Sequence, residues 1–256
     1  MSVVNCNPMD LSGRSYIITG AASGIGKATA IILSKLGAKL LLLDINKGNL
    51  EQLHDSCENM VDTLVIDLTK SGDIKSLVKE KIAVFGKING FVHCAGIPYI
   101  SPLNAVNTEK SEMLYKLNTY AAIELAKVCS NKQVYAGEHG SFVLLSSVYG
   151  LVGSAANVVY AMSKAAIIGI TRSLSIELAP KNIRVNCIAP GFVKTNMLAG
   201  NAGAFDDSYN QKLEALHPLG LGDADSIAEP IAFLLSDASR WITGAIINVD
   251  GGFTAQ

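Results

Sequence analysis

The segment Lys39-Leu40-Leu41-Leu42-Leu43-Asp44 constrains the fold of this chain more than any other. Four leucines in a row are too few for a helix, and they do not alternate with polar residues as a half-exposed strand would. Such a run reads as a strand covered on both faces, the habit of parallel sheets. Short apolar runs of this kind recur, separated by longer stretches with apolar residues at helical spacing. The candidate strands are Ser15–Thr19, Lys39–Asp44, Thr63–Asp67, Gly90–His93, Ser141–Leu145, Arg184–Ile188 and Ile246–Val249. The candidate helices are Gly24–Leu36, Lys47–Glu58, Ile74–Phe85, Ser111–Asn131, Val158–Ala179, Asp206–Leu216 and Asp225–Ser236. Alternation carried this far predicts an α/β fold, a doubly wound sheet of about seven mostly parallel strands with helices on both faces.

A length of 256 residues suits one large α/β domain. Residues 1–10 read as a short polar arm and 11–256 as a single domain, because no linker or repeat divides them. From Pro190 to Asn201 no periodicity is visible, so a substrate loop is expected over roughly 190–220. The 21 basic and 22 acidic side chains leave a net charge of -1, which excludes the positive field of a nucleic-acid or anionic-membrane binder. Five scattered cysteines (Cys6, Cys57, Cys94, Cys129, Cys187) and four dispersed histidines form no metal-ligand spacing. Reduced thiols and the lack of a basic-then-apolar leader point to a cytoplasmic protein. One run raises the question of a bilayer: Gly140–Ser163 holds 24 residues without a charge. It contains Ser146, Ser147, Tyr149, Gly150, Gly153, Ser154 and Asn157, so it reads as a buried strand, a turn and a buried helix instead of a membrane span.

Directly after the first candidate strand comes Thr19-Gly20-Ala21-Ala22-Ser23-Gly24-Ile25-Gly26, leading into an apolar helix. A strand, a glycine turn and a helix N-terminus present backbone N–H groups and a positive dipole end to a phosphate. Glycine lets the backbone approach a pyrophosphate and lets the helix pack against the sheet. This makes the fold Rossmann-like and dinucleotide-binding, although a tight turn without ligand would use the same residues. The second strand ends at Asp44, where an acid can accept both adenosine ribose hydroxyls and would repel a 2′-phosphate. Asp44 could also serve as a strand-end acid or a helix cap. With no basic residue among Ala21, Ala22 and Ser23, NAD(H) is preferred over NADP(H).

Tyr160 and Lys164 lie four apart on a helical stretch, hence on one face. A tyrosine with a pKa near 10 is a poor acid/base at neutral pH unless a cation favours its phenolate, and Lys164 would supply one. Ser147 follows a candidate strand at the edge where α/β sheets bind ligands, and its hydroxyl could hold the oxygen on which Tyr160 acts. Each feature alone is more often packing or a turn. Their coincidence with the glycine turn favours an enzyme.

Together, Thr19-Gly20-x-x-x-Gly24-x-Gly26, Ser147, Tyr160-x-x-x-Lys164, Pro190-Gly191-x-x-x-Thr195 and Val249-Asp250-Gly251-Gly252 resemble the short-chain dehydrogenase/reductase family, over Leu11 to the C-terminus. The resemblance implies hydride transfer between a small-molecule secondary alcohol and a ketone, with Tyr160 as general acid/base. It implies that Lys164 lowers the Tyr160 pKa and binds the nicotinamide ribose, and that Ser147 orients the substrate oxygen. Asn118 matches the position that holds a water in a relay to Lys164; without the resemblance it reads as a helix kink or a polar core residue. For the cofactor it implies contacts from Gly20, Ser23, Gly24, Ile25 and Gly26, and places Asp67 and Leu68 near the adenine. Gly96 would lie by the adenosine ribose and Val193 with Thr195 near the carboxamide, with Ala95, Pro190 and Gly191 as further cofactor contacts. Tyr149, Leu151 and Val152 would line the substrate pocket, with Asn157 at its mouth and Met197, Leu198 and Phe205 in an apolar lid. One departure is plain: His93-Cys94-Ala95-Gly96 stands where the family commonly has Asn-Asn-Ala-Gly. The resemblance also implies a homotetramer with the helix after Tyr160 at an interface. Among relatives, 3-oxoacyl-carrier-protein or acyl-CoA reductases are an alternative. Those normally use NADPH and dock an acidic carrier, against which Asp44 and the charge of -1 both count. A non-catalytic dinucleotide-binding regulator is the alternative from another class.

Overall fold

The computed structural model describes residues 7–194 and 213–255. Its sheet has seven parallel strands: β1 (Ser15–Thr19), β2 (Lys39–Asp44), β3 (Val61–Val65), β4 (Gly90–His93), β5 (Gly140–Leu145), β6 (Ile183–Pro190) and β7 (Ile246–Val249). Their order across the sheet is β3-β2-β1-β4-β5-β6-β7, with every neighbouring pair parallel. The expected doubly wound sheet is therefore observed. Chain order reverses between β1 and β4, and in such sheets ligands bind beyond the strands' carboxyl ends at that reversal.

The leucine run explains itself in this setting. Leu40 and Leu42 enter one core with Tyr16, Ile18, Val92 and Val143, while Leu41 and Leu43 enter the other with Ile17, Phe91, Phe142 and Leu144. The first core is covered by α1 (Gly24–Lys35), α2 (Lys47–His54) and α7 (Ala224–Leu235). The second is covered by α3 (Ser71–Phe85), α5 (Ala121–Cys129) and α6 (Val158–Leu178). All four leucines are fully buried. At about 1.5–3 kcal/mol per buried leucine side chain, this one strand favours assembly by roughly 6–12 kcal/mol.

Several elements differ from the sequence expectation: α3 starts three residues earlier, at Ser71, and β6 runs on to Pro190. β3 begins and ends two residues earlier, because Leu40 pairs with Val61 and the Asp67 carboxylate instead folds back onto Thr69 N–H at 3.0 Å and Thr69 O–H at 2.7 Å. α2 stops at His54 because Ser34 Oγ draws off Glu58 N–H and Asn59 N–H, at 3.0 and 3.1 Å. The single helix expected over Ser111–Asn131 starts at Thr108, where Asn107 caps it through Lys110 N–H, and it is interrupted. It consists of α4 (Thr108–Tyr115), a π turn (Lys116–Tyr120) and α5. The candidate helix Asp206–Leu216 lies largely outside the described residues, as do Thr195, Met197, Leu198 and Phe205.

The charge-free run Gly140–Ser163 is β5, a turn at Val148–Gly150 and the start of α6. Among the described residues no helix is long and apolar enough to cross a membrane. Cys57, Cys94, Cys129 and Cys187 are free thiols.

Candidate active site

The glycine turn joins β1 to α1 under close steric limits. A Cβ on Gly26 would stand 2.1 Å from Gly20 O, and one on Gly20 would stand 2.7 Å from Ala95 N. Gly20 also has φ +63 and Gly24 φ +50, a region that favours glycine. Ser23 precedes α1 in extended conformation without capping it through its side chain, and no acid occupies the first turn. The leading amides of α1 are thus left to an anion at the dipole's positive end. Asp44 ends β2 alongside this turn, accepting from Ala22 N–H at 2.9 Å and from Asn46 N–H at 3.0 Å. Its charge therefore sits against the turn, while Lys47, the cation nearest in sequence, pairs with Glu51. A cradle that tolerates no Cβ, with an acid beside it, fits a dinucleotide.

The chemistry-bearing residues gather at the same edge of the sheet. Ser147 follows β5 and caps the next turn, accepting from Tyr149 N–H at 3.2 Å. α6 carries Tyr160 and Lys164, with Lys164 Nζ 5.8 Å from the Tyr160 ring centre. Lys164 is buried, and one of its ammonium hydrogens goes to Leu145 O at 2.9 Å. Burial lowers the Lys164 pKa to about 8, with Cys187 and Cys94 acting in the opposite direction. For Tyr160 the protein acts against the sequence expectation. Burial pushes its phenol up to about 12, Ser147 pulls it down by hydrogen bonding, and Tyr149 raises it further. A dry site penalises the phenolate, and the lysine spends its charge on a backbone carbonyl.

Asn118 lies in the π turn, fully buried. Its Oδ1 accepts from Ile97 N–H at 2.9 Å, and its Nδ2 donates to Ile97 O at 3.0 Å and to Ser163 Oγ at 3.2 Å. It is thus both the helix irregularity and the polar core residue that its bare sequence context suggests. A Cβ on Gly96 would meet Asn118 Oδ1 at 3.1 Å and Lys164 Nζ at 3.6 Å, so these two side chains converge over that glycine.

Several residues support the site in ways the sequence did not assign, although Thr19 belongs to the glycine-turn motif. Ser163 Oγ donates to Tyr160 O at 2.8 Å and accepts from Asn118, tying α6 to the π turn. Ser146 Oγ donates to Lys164 O at 2.7 Å, and only a glycine at 150 leaves room for that contact. Thr19 Oγ1 accepts from Ala95 N–H at 3.2 Å. The available signal was a small polar residue inside an apolar run, which alone does not separate a support from a turn.

The remaining expected residues fall in different places. The Tyr149 ring stands edge-on to Phe192, 5.6 Å between centres, and Phe192 abuts His217 and Phe253. Asn157 turns its amide into its own loop, donating to Ser154 Oγ and Ala155 O, while Leu151 and Val152 are exposed. The Leu68 side chain is in the core, and Asp67 is held below the usual carboxylate range by Thr69. Gly191, following Pro190, lies so close to Asp250 that a Cβ would be 2.8 Å from its Cα. Val193 bridges Gly222. Thr195 and Met197 are outside the described residues.

Comparison with known proteins identifies the family. The profile of a family described as enoyl-(acyl carrier protein) reductase matches residues 20–254. The chain is 35% identical to a 3-oxoacyl-[acyl-carrier-protein] reductase of Thermotoga maritima, covering 95% of this chain and 99% of that one. It is 34% identical to a 2,5-dichloro-2,5-cyclohexadiene-1,4-diol dehydrogenase of Sphingobium indicum, over 96% and 99% of the two chains. A Beutenbergia cavernae crystal structure, assigned as an NAD(P)-dependent gluconate 5-dehydrogenase with NADP bound at low occupancy, superposes with a TM-score of 0.89 at 30% identity. That match covers 97% of this chain and all of the other. With matches over nearly its whole length, the chain belongs to the short-chain dehydrogenase/reductase family, as an NAD(P)-dependent oxidoreductase acting on CH–OH groups.

Proposed function

We propose that this protein interconverts a small secondary alcohol and a ketone with NAD(H), using Tyr160 as general acid/base. The observation that carries the reading is the gathering of Ser147, Tyr160, Lys164 and Asn118 at the sheet edge that also bears the glycine turn. A bound nicotinamide would supply the hydride donor or acceptor. In ketone reduction Tyr160 O–H gives its proton to the oxygen that becomes the alcohol, and in oxidation it takes that proton back. The Ser147 hydroxyl holds the same oxygen. Lys164 has two ammonium hydrogens beyond the one on Leu145 O, enough for a ribose hydroxyl and for a water held near Asn118. A phenol pushed up to about 12 is protonated at neutral pH, which is the form reduction needs.

The preference for NAD(H) rests on Asp44, whose carboxylate beside the turn disfavours a 2′-phosphate. Gly20, Ser23, Gly24, Ile25 and Gly26 would take the pyrophosphate, Asp67 and Leu68 the adenine, and Ala95 and Gly96 the ribose. Pro190, Gly191, Val193 and Thr195 would hold the carboxamide, and Tyr149, Asn157 and Met197 the substrate. Residues 11–256 would act as one cofactor-binding and catalytic domain, a reading supported by the single sheet that carries the turn and Asp44 and against which α6, with Tyr160 and Lys164, packs. A second reading, reduction of a 3-oxoacyl thioester, is favoured by the similarity to the Thermotoga maritima enzyme. The test follows NADH and NADPH separately with cyclic ketones, keto-sugars and acetoacetyl-CoA. The first reading expects turnover with NADH on a ketone. NADPH-dependent reduction of acetoacetyl-CoA alone would replace it with the second.

A further inference from the structure

The departure at His93 leads to an inference that rests on the proposed chemistry and adds a residue to it. His93 ends β4 opposite Thr19 and is buried. Its Nδ1 lies 2.9 Å from Thr19 Oγ1, and its Nε2 lies 3.2 Å from Leu117 O. The partners assign the protons. A carbonyl oxygen can only accept, so Nε2 carries the hydrogen and donates to Leu117. Thr19 Oγ1 already accepts from Ala95 N–H, so its own hydroxyl hydrogen goes to Nδ1. One directed chain runs from Ala95 through Thr19 and His93 to Leu117, joining the glycine turn to the π turn.

The far end of this chain is where the helix is irregular. In an α-helix the Ala121 N–H would bond to Leu117 O, four residues back; here it bonds to Lys116 O, five back. Leu117 O therefore loses its α-helical donor, and His93 Nε2–H supplies another. The next residue is Asn118, whose amide meets Ser163 and converges with Lys164 over Gly96. We propose that His93 is a positioning residue: by donating to Leu117 O it holds the π turn in the register that presents Asn118 to Lys164. The imidazole is suited to this as a neutral group, since burial and the Lys164 charge lower its pKa to about 3. Thr19 and Leu117 O, which it touches, carry no charge of their own.

Two substitutions separate the two ends of the imidazole. An asparagine amide lies about where Nδ1 does and reaches Thr19 alone, whereas a glutamine amide lies about where Nε2 does and reaches Leu117. His93→Asn is expected to lower kcat by about ten- to a hundredfold, the scale of a misplaced catalytic group, with NADH affinity within about twofold of wild type. His93→Gln should recover most of that loss. Amide hydrogen exchange read at residues 117–121 should be about tenfold faster in His93→Asn and near wild type in His93→Gln. Equal kcat and equal exchange in both variants would overturn the proposal, as would a glutamine variant that folds normally yet fails as the asparagine one does. A wild type without turnover on any alcohol or ketone would refute the proposed function instead, and the exchange comparison would still decide the role of His93 at the π turn.

Discussion

In the proposed mechanism Tyr160 carries the chemistry, and its single oxygen makes the cleanest test. Tyr160→Phe is expected to lower turnover by at least about a hundredfold while leaving NADH binding, followed by fluorescence, nearly intact. The pH dependence follows from the same residue. Alcohol oxidation needs a phenol pushed up to about 12 to give up its proton, so kcat for oxidation should climb as pH rises above neutral. Ketone reduction uses the protonated form and should stay level through the neutral range, which initial rates in both directions would check. Asp44→Ala removes the acceptor for Ala22 and Asn46 N–H and the charge beside the turn. It should cost about 1–3 kcal/mol of stability from the unpaired amides and narrow the gap between NADH and NADPH binding; a wild type that already prefers NADPH would refute the role given to Asp44. Among single residues, Tyr160, Lys164, Ser147 and Gly20 stood out in the sequence because their spacing carries the argument. His93 was noticed only as a departure, since its partners Thr19 and Leu117 are 74 and 24 positions away in the chain.

At the scale of elements, glycine at 26 decides whether β1 and α1 can meet at all. Gly26→Ala would force a methyl to 2.1 Å from a backbone oxygen, so the turn must open. The expected outcome is a loss of about 2 kcal/mol or more in urea unfolding together with lost cofactor binding. All seven strands were legible within two residues at either end; for the five inner ones the reason is that a strand buried on both faces needs an unbroken apolar run. β3 is displaced by two residues at both ends, in the register that its pairing with β2 sets. Asn118 hinted at a kink between α4 and α5, but the π turn itself was beyond sequence reading. Lys116–Tyr120 has ordinary helical composition, and the π turn there is compensated by His93, Ile97 and Ser163, which come from other elements.

For the whole molecule, α6 offers the clearest surface prediction. Val158, Met162 and Ile176 are exposed on this otherwise apolar helix, and Met113 and Tyr120 are exposed on the preceding helices. If these faces bury one another between copies, Met162→Glu together with Ile176→Glu should reduce the mass measured by light scattering from that of a tetramer, with little change in monomer stability. An unchanged mass would place the interface elsewhere. The fold and the reaction class were set by local pattern: apolar runs of strand length alternating with helices, a glycine turn after the first strand, and a tyrosine four residues before a lysine. Such features are written in consecutive residues because the backbone's own periods create them. Protonation and alignment were decided only by tertiary structure. Burial raised Tyr160 and lowered Lys164, Leu145 O took one of the lysine's hydrogens, and β4 brought His93 beneath the π turn. Desolvation and hydrogen bonding depend on which groups the folded chain packs together in space, and no spacing along the sequence states that.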